Sequence, residues 1–344
     1  PIFGAIADKY GGHKAITLAF VFYIFGIYFL YAGPNTGIFF QINMGLFIGI
    51  GLGGTAISIP MSIVGKHFPL SNRTIAMSIV TSVGSFGYFI SPLYTTYSLN
   101  NNGWVETLFI FMIFLIFGFL IAFFVKSPSA NQSIEVPNDQ STLEALKEAM
   151  SNRSYVLLTA GFFVCGFHVT FVAVHLPAYI TDQNLPNWVG GWALALIGLF
   201  NIVGTLLFGY LGDQGSKKNL LSLLYSLRGM VFLLFIMLPK TELTVLLFAS
   251  ILGVLWLSTV PLTSGIITVV FGPYYMSMLF GIVFFSHQIG SFLGSWLGGK
   301  FFDTYGSYDI MWWSCVILGF VSALIHFPIK EIAVPRLSNK KAVI

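Results

Sequence analysis

Residues 4–14 read GAIADKYGGHK, and residues 209–218 read GYLGDQGSKK. Each stretch places a glycine four residues before an aspartate, with lysine close behind, and the two aspartates are 205 residues apart. The tripeptide Gly-Ser-Phe also occurs twice, at residues 84–86 and 290–292, which is a spacing of 206. Because separate landmarks recur at nearly one spacing, the sequence predicts two similar halves that arose by duplication.

The composition excludes a water-soluble globule. Of the 344 residues, 56% are hydrophobic and 8% are charged, with a mean hydropathy of +0.85, whereas a soluble domain carries about a quarter charged residues. The apolar residues form continuous runs of about 20, which is the length that a helix needs to cross a bilayer. A β-barrel would need short alternating strands instead. The sequence therefore predicts an all-α, polytopic membrane protein.

Ten apolar windows are long enough to span a bilayer, and residues 1–7 are interpreted as the end of an eleventh helix. The windows are 14–33, 37–64, 74–98, 105–126, 154–180, 189–211, 219–238, 243–271, 277–299 and 310–329.

The windows fall into two groups separated by a polar segment. We assign residues 1–126 to a first bundle, 127–153 to a linker with the amphipathic run STLEALKEAM, 154–330 to a second bundle and 331–344 to a tail. The second half begins its first helix 59 residues before Asp213. The repeat therefore predicts that the first helix and most of the second precede residue 1, and that the intact protein has twelve spans.

The basic residues indicate orientation and exclude several partners. If Asp8 and Asp213 share one face of the membrane, that face collects thirteen of the sixteen Lys and Arg residues, which makes it cytoplasmic by the positive-inside rule. We expect a bacterial inner membrane. The basic residues are scattered, so nucleic-acid binding is not expected, and no His or Cys group has metal-ligand spacing. We expect a monomer without metal or cofactor, and the two cysteines are interpreted as small core residues.

The first stretch resembles the signature loop of the Major Facilitator Superfamily, Gly-x-x-x-Asp-Arg/Lys-x-Gly-x-x-Arg/Lys. The residues that match it are Gly4, Asp8, Lys9, Gly11 and Lys14. The second stretch resembles the weaker copy of that loop, through Gly209, Asp213, Lys217 and Lys218. The resemblance implies two six-helix bundles around one solute site that opens alternately to the two sides.

A narrower resemblance lies near the end of the chain. Residues 284–313 are similar to the eleventh helix and following turn of monocarboxylate-porter-like and oxalate/formate-antiporter-like members of that superfamily. The chain departs from the family elsewhere: Gly45 stands where many members have an arginine in the fourth helix. Asn201 and Thr205 stand where monocarboxylate porters have an Asp and an Arg. That charged pair is therefore not expected here.

The two aspartates have two interpretations. Asp8 and Asp213 can accept hydrogen bonds from the first N–H groups of a neighbouring helix, where the helix dipole favours a negative charge, and the resemblance implies that this contact latches one conformation. The plainer interpretation is a topological anchor, in which Lys9 and Lys14 hold the loop at the anionic membrane face.

The ionisable residues within the apolar windows are few, and none of them is acidic. Arg228 lies near the middle of the ninth helix. It either binds an anionic substrate as a guanidinium–carboxylate pair or makes structural hydrogen bonds. His168 and His175 are seven residues apart on the seventh helix and so share one face. They are candidates for the solute pathway, and the alternative is a hydrogen bond from each to a facing helix.

Three further polar residues are candidates for contact with the solute. His287 and Gln288 lie midway along the eleventh helix, among glycines that let another backbone come close. Asn201 lies midway along the eighth helix as a neutral candidate. Each of these side chains also has a structural interpretation.

Together these features predict a secondary active transporter of a small organic solute, without enzymatic activity. Because the charge inside the membrane is basic, we expect an organic anion such as a monocarboxylate, coupled to protons or to a counter-anion. Two alternatives stay open. One is an exporter of amphiphilic compounds, and the other is a transporter-like sensor that binds solute without moving it.

Overall fold

The computed structural model describes residues 1–33, 36–124 and 140–338, and within these residues the ordered elements are all helical. In chain order they are α1 (Ile2–Tyr10), α2 (Gly12–Ala32), α3 (Gly37–His67), α4 (Leu70–Leu99), α5 (Asn101–Phe124), α6 (Thr142–Ser151), α7 (Arg153–Asp182), α8 (Asn187–Gln214), α9 (Lys217–Met237), α10 (Glu242–Phe271), α11 (Met276–Tyr305), α12 (Asp309–His326) and α13 (Pro335–Ser338).

Ten of these helices, α2–α5 and α7–α12, are long and apolar enough to cross a membrane. The ten predicted spans and the all-α fold class are therefore confirmed. The predicted turn at residues 34–35, most of the polar linker and the end of the tail lie outside the described residues.

Two spans are interrupted, although the sequence predicted continuous helices there. α3 has a π-helical turn at Asn43–Ile48 and a break at residues 55–57, between the helical segments Gly49–Gly54 and Ser58–His67. α10 breaks at residues 256–258. The two breaks begin 201 residues apart, so they occupy equivalent places in the two halves.

The two bundles meet along two seams that the repeat relates to each other. α4 packs along α8, and α1 packs along the first part of α11. Close approach at both seams depends on glycine, since a Cβ atom at Gly4 would overlap the backbone oxygen of Ser277, and one at Gly209 would overlap the hydroxyl of Ser78.

Asp8 and Asp213 lie at the same end of the bundle, which we call the Asp8 end. Asp8 contacts the first turn of α11, Asp213 contacts the first turn of α4, and Lys66 at the end of α3 contacts Asp8. The predicted amphipathic helix α6 is present near this end. Its start is fixed by a capping box, in which the Ser141 hydroxyl accepts from the N–H of Glu144, and the Glu144 carboxylate accepts from the N–H of Ser141 at 2.6 Å.

Candidate functional site

Asp8 holds the start of α11. One carboxylate oxygen accepts a hydrogen bond from the N–H of Met278 at 2.8 Å, and the other is 3.4 Å from the N–H of Ser277. The first N–H groups of a helix have no acceptor within the helix, and the helix dipole makes that end positive. Asp8 is only 3% exposed, so water screens this attraction little.

Lys66 completes the Asp8 contact. Its ammonium nitrogen lies 2.7 Å from Asp8 Oδ1, and both side chains are almost fully buried. Burial raises the pKa of the Asp8 carboxyl, and the charge and hydrogen bond of Lys66, together with the backbone of α11, oppose that rise. The sequence does not reveal Lys66 as the partner, because 58 residues separate it from Asp8 and a lysine at a helix end carries no distinguishing signal.

Asp213 makes the equivalent contact at the other seam. Its two carboxylate oxygens accept hydrogen bonds from the N–H groups of Thr74 and Ile75, each at 2.9 Å. Thr74 and Ile75 precede Ser277 and Met278 by 203 residues, so the repeat relates the two contacts. Among the described residues, no Lys or Arg lies within salt-bridge distance of Asp213, which distinguishes it from Asp8.

The other residues of the two signature stretches surround these contacts. Gly11 ends α1 with a φ of 100°. Lys9 and Lys14 are exposed at the surface of the Asp8 end, and Lys217 is half-buried. The backbone N–H of Lys218 donates to a carboxylate oxygen of Glu331 at 2.8 Å, which caps the start of α9.

Asn201 links the two bundles at the α4–α8 seam. Its side-chain nitrogen donates to the Ser85 hydroxyl at 2.7 Å, and one turn further along α8 the hydroxyls of Thr205 and Ser82 are 2.7 Å apart. The side-chain oxygen of Asn201 accepts from the N–H of Leu257, inside the break of α10, at 2.8 Å. Asn201 therefore connects the seam between the bundles to that break.

Arg228 supports the same break from the opposite side. Its Nε and Nη2 atoms donate to the carbonyl oxygen of Leu255 at 3.0 and 2.6 Å, and Nη2 also donates to the carbonyl oxygen of Trp256. These carbonyls lose their helical partners where α10 is interrupted. The guanidinium also lies 5.2 Å from the centre of the Tyr225 ring, and Arg228 is 1% exposed. These hydrogen bonds agree with the second interpretation of Arg228 given above, in which it makes structural hydrogen bonds.

Cys165 lies against Arg228 and was interpreted from the sequence only as a small core residue. Its sulfur atom is 3.5 Å from Nη1 of Arg228 and 3.5 Å from the hydroxyl of Thr259. The imidazole of His287 adjoins the thiol without the geometry of a formed hydrogen bond. The sequence gave no sign of this cluster, because its members lie on four different helices.

His287 and Gln288 are in direct contact. Nδ1 of His287 is 3.0 Å from Oε1 of Gln288 and 3.4 Å from the hydroxyl of Ser291, so this nitrogen donates or accepts according to the tautomer of the ring. Nε2 is buried without a hydrogen-bond partner, and Gln288 is exposed. His287 thus lies between the buried cluster and the exposed face of α11.

His168 and His175 share a face of α7 but contact different helices, because α7 packs against both α11 and α12. Nε2 of His168 is 3.0 Å from the carbonyl oxygen of Cys315 on α12, and Nε2 of His175 is 2.8 Å from the carbonyl oxygen of Ser295 on α11. Of the predicted polar residues, the fold brings Arg228 and His287 together around Cys165, and Gln288 contacts His287 on its exposed side. The fold leaves His175 and Asn201 in separate contacts. No group of three or more metal-ligating side chains occurs in the described part of the chain.

The sequence profile described as "Major Facilitator Superfamily" matches residues 1–295 and 191–343. An uncharacterized MFS-type transporter of Bacillus subtilis (strain 168), YcxA, is 26% identical over 352 residues, covering 98% of this chain and 82% of that protein. Monocarboxylate transporter 12 of Mus musculus is 23% identical, covering 84% of this chain and 69% of its own.

A solved structure has the same fold. The fucose:proton symporter FucP of E. coli superposes with a TM-score of 0.69 at 16% identity, over 94% of this chain and 86% of that one. The repeated signature stretches, the ten spans and the two paired seams agree with these matches. The chain belongs to the Major Facilitator Superfamily.

Proposed function

We propose that this protein is a secondary active transporter of a small organic anion such as a monocarboxylate. Membership of the superfamily supports transport of a small solute, and the resemblance to a monocarboxylate transporter favours this class of substrate. We propose coupling to a proton or counter-anion gradient and a location in a bacterial inner membrane, with the Asp8 end in the cytoplasm.

The observation that carries the anion proposal is the sign of the ionisable groups inside the bundles. Arg228, His168, His175 and His287 are all at least nine-tenths buried within the second bundle, whereas the acidic residues of the described ranges lie at or near the helix ends. A charged group inside a membrane protein normally has a partner or a functional role. An interior with basic groups and no carboxylate favours an anionic solute and repels a cationic one.

We assign direct contact with the solute to the exposed side of α11 and to the seam between the bundles. His287 and Gln288 form one part of this site, and Asn201 forms the part that lies between α4 and α8. Arg228 and His168 act on the solute from the interior of the bundle. Arg228 does so through the electrostatic field of its guanidinium. His175, whose Nε2 contacts a backbone carbonyl of α11, is assigned to the part of the solute pathway that lies further from the Asp8 end.

The paired aspartate contacts support alternating access. Asp8 and Asp213 each tie one bundle to a helix start of the other, at the same end, so the contacts stabilise a conformation that is closed there. Opening that end requires both contacts to separate. We therefore propose that Asp8 and Asp213 latch the closed state.

The experiment is uptake of labelled lactate or pyruvate into proteoliposomes, with protein-free vesicles as the baseline. Uptake above this baseline is expected, and the variant His287→Ala lowers it. His67→Ala is the matched control, because His67 is exposed at the end of α3 and lies away from the proposed site. Carboxylate binding without uptake would favour the sensor. Resistance of expressing cells to dyes, without carboxylate uptake, would favour the amphiphile exporter.

A further inference from the structure

Arg228 is a buried cation without a carboxylate partner. Among the described residues, the salt bridges are Lys66–Asp8 and Arg336–Glu148, which both lie near the Asp8 end. A guanidinium stays charged in proteins, and an uncompensated charge in the membrane interior is costly. The backbone carbonyls of Leu255 and Trp256 satisfy its hydrogen bonds but supply only partial charge. The fold must therefore supply a negative charge elsewhere or tolerate this cost.

Cys165 is the group in a position to supply that charge. Its sulfur atom accepts a hydrogen bond from Nη1 of Arg228 at 3.5 Å and lies 3.5 Å from the hydroxyl of Thr259. A thiol beside a cation and a hydrogen-bond donor ionises more readily than an isolated one. Cys165 is fully buried, so the thiolate loses its hydration, which disfavours it, and water does not screen its attraction to the guanidinium, which favours it.

His287 provides a route for a proton to this sulfur. When the hydrogen of the neutral ring is on Nδ1, Nε2 holds a lone pair that can accept a proton; when it is on Nε2, that N–H can donate to the sulfur. This nitrogen is buried without a partner and adjoins Cys165. A proton can pass between Nε2 and the sulfur, while Gln288 is exposed on the other side of the ring.

The remaining titratable groups around the cluster supply no competing anion. Tyr225 on α9 adjoins both Cys165 and Arg228, and its phenol is a weaker acid than a thiol. His168 on α7 and His326 on α12 face Arg228 and are neutral or positive. Thr259 on α10 does not titrate. Cys165 is thus the strongest acid in contact with the guanidinium.

We propose that Cys165, Arg228 and His287 form a proton-binding site that contains no carboxylate, in which the Cys165 thiolate is the counter-ion of Arg228. In the unloaded site the negative charge of the thiolate and the positive charge of the guanidinium cancel. Loading forms one S–H bond between Cys165 and a proton delivered through His287, and no other covalent bond changes. The loaded site carries one net positive charge, which a solute carboxylate near His287 then balances. The link to solute rests on the proposed function, and it gives proton–anion symport.

The test is infrared spectroscopy of the S–H stretch, a band that lies apart from other protein absorption. Cys315 is the internal control, because it is also fully buried but packs in an apolar cluster of α7, α9, α10 and α12. The variant Cys315→Ser retains only Cys165, and Cys165→Ser retains only Cys315. At pH 7, where an ordinary thiol is protonated, we expect the band of Cys315 to be present and that of Cys165 to be absent.

The measurement needs neither solute nor access of a reagent to the buried sulfur. An S–H band of Cys165 as strong as that of Cys315 at pH 7 would overturn the proposal. Arg228→Gln removes the cation and is expected to restore the Cys165 band. If Arg228→Gln does not fold, the comparison of the Cys165 and Cys315 bands still tests the proposal.

Transport separates this site from the proposed function. An inward acid gradient is expected to stimulate carboxylate uptake by the protein, and this stimulation is lost in Cys165→Ala. A missing Cys165 band together with no uptake of any carboxylate would leave the proton site standing and reject the anion transporter. Stimulation that survives in Cys165→Ala would reject the site as the coupling device.

Discussion

The two halves break a central helix at equivalent places but hold the broken ends differently. In α3 the hydroxyl of Thr55 donates to the carbonyl oxygen of Gly51 at 2.9 Å, within its own helix. In α10 the last helical carbonyl before the break is that of Leu255, and Arg228 from the neighbouring helix α9 donates to it. The hydroxyl of Thr259, just after the break in α10, lies 3.5 Å from the sulfur of Cys165 on α7.

This difference concerns what holds each break in place. The first break needs nothing outside α3, since a threonine hydroxyl commonly bonds the carbonyl one turn earlier. The second break depends on α9 through Arg228 and on α8 through Asn201, whose side chain accepts from the N–H of Leu257. Movement at the second break is thus coupled to neighbouring helices, and a buried charge lies beside it.

The largest effect that follows from this comparison is expected for Arg228→Met. The change leaves the carbonyls of Leu255 and Trp256 without the guanidinium. Each buried unsatisfied carbonyl costs about 1–3 kcal/mol. The variant also no longer buries a charge, which offsets part of this cost, so we expect the free energy of unfolding to fall by about 3 kcal/mol. Thermal unfolding of the detergent-purified protein measures the change.

The matched control for this prediction is Leu227→Met, because Leu227 precedes Arg228 on the same helix and is partly exposed to the surroundings of the bundle. It is expected to unfold at the wild-type temperature. If Arg228→Met were as stable as Leu227→Met, the break in α10 would not need the guanidinium, and the contrast between the two halves would be lost.

The sequence predicted the elements of the two halves and missed what joins them. Apolar runs of sufficient length predict spans because lipid leaves the backbone no other partner, and the repeat placed Asp8 and Asp213 in equivalent stretches. The breaks were missed although Pro60 and Pro261 follow them and each lacks the N–H that would bond the carbonyl four residues earlier, because membrane helices tolerate proline within a continuous apolar run. The partners of Arg228 are backbone carbonyls, which any residue provides. Nothing in the order of residues reveals them.

The second contrast is between the two aspartate contacts, and Asp8→Asn is expected to have the larger effect. The substitution leaves the buried ammonium of Lys66 without its counter-charge. We expect it to cost about 2 kcal/mol, less than a fully interior pair, because the lysine lies at a helix end from which it can reach water. Asp213→Asn loses the attraction to the start of α4, about 1 kcal/mol, and a longer-range attraction to the Arg73 guanidinium, with which it forms no salt bridge. Thermal unfolding compares the two variants.

The double variant Asp8→Asn/Lys66→Met tests the reason for that inequality. Removing both charges takes away the unpaired ammonium, so the double variant is expected to be more stable than Asp8→Asn alone. Equal stability of Asp8→Asn and the double variant would mean that Lys66 carries no penalty. The two aspartates would then differ only by their helix contacts.

The smallest effect is expected for Thr55→Val, and it tests the claim that the first break is held locally. Valine keeps the shape of threonine and removes one hydrogen bond, which is worth about 1 kcal/mol. Thr259→Val, just after the second break, removes only a 3.5 Å contact to sulfur, a weaker bond, and so should cost less stability than Thr55→Val. The order of the two unfolding temperatures decides the matter. If Thr259→Val were the less stable of the two variants, the hydroxyl of Thr259 would itself support the second break. Arg228 would then share that role with Thr259.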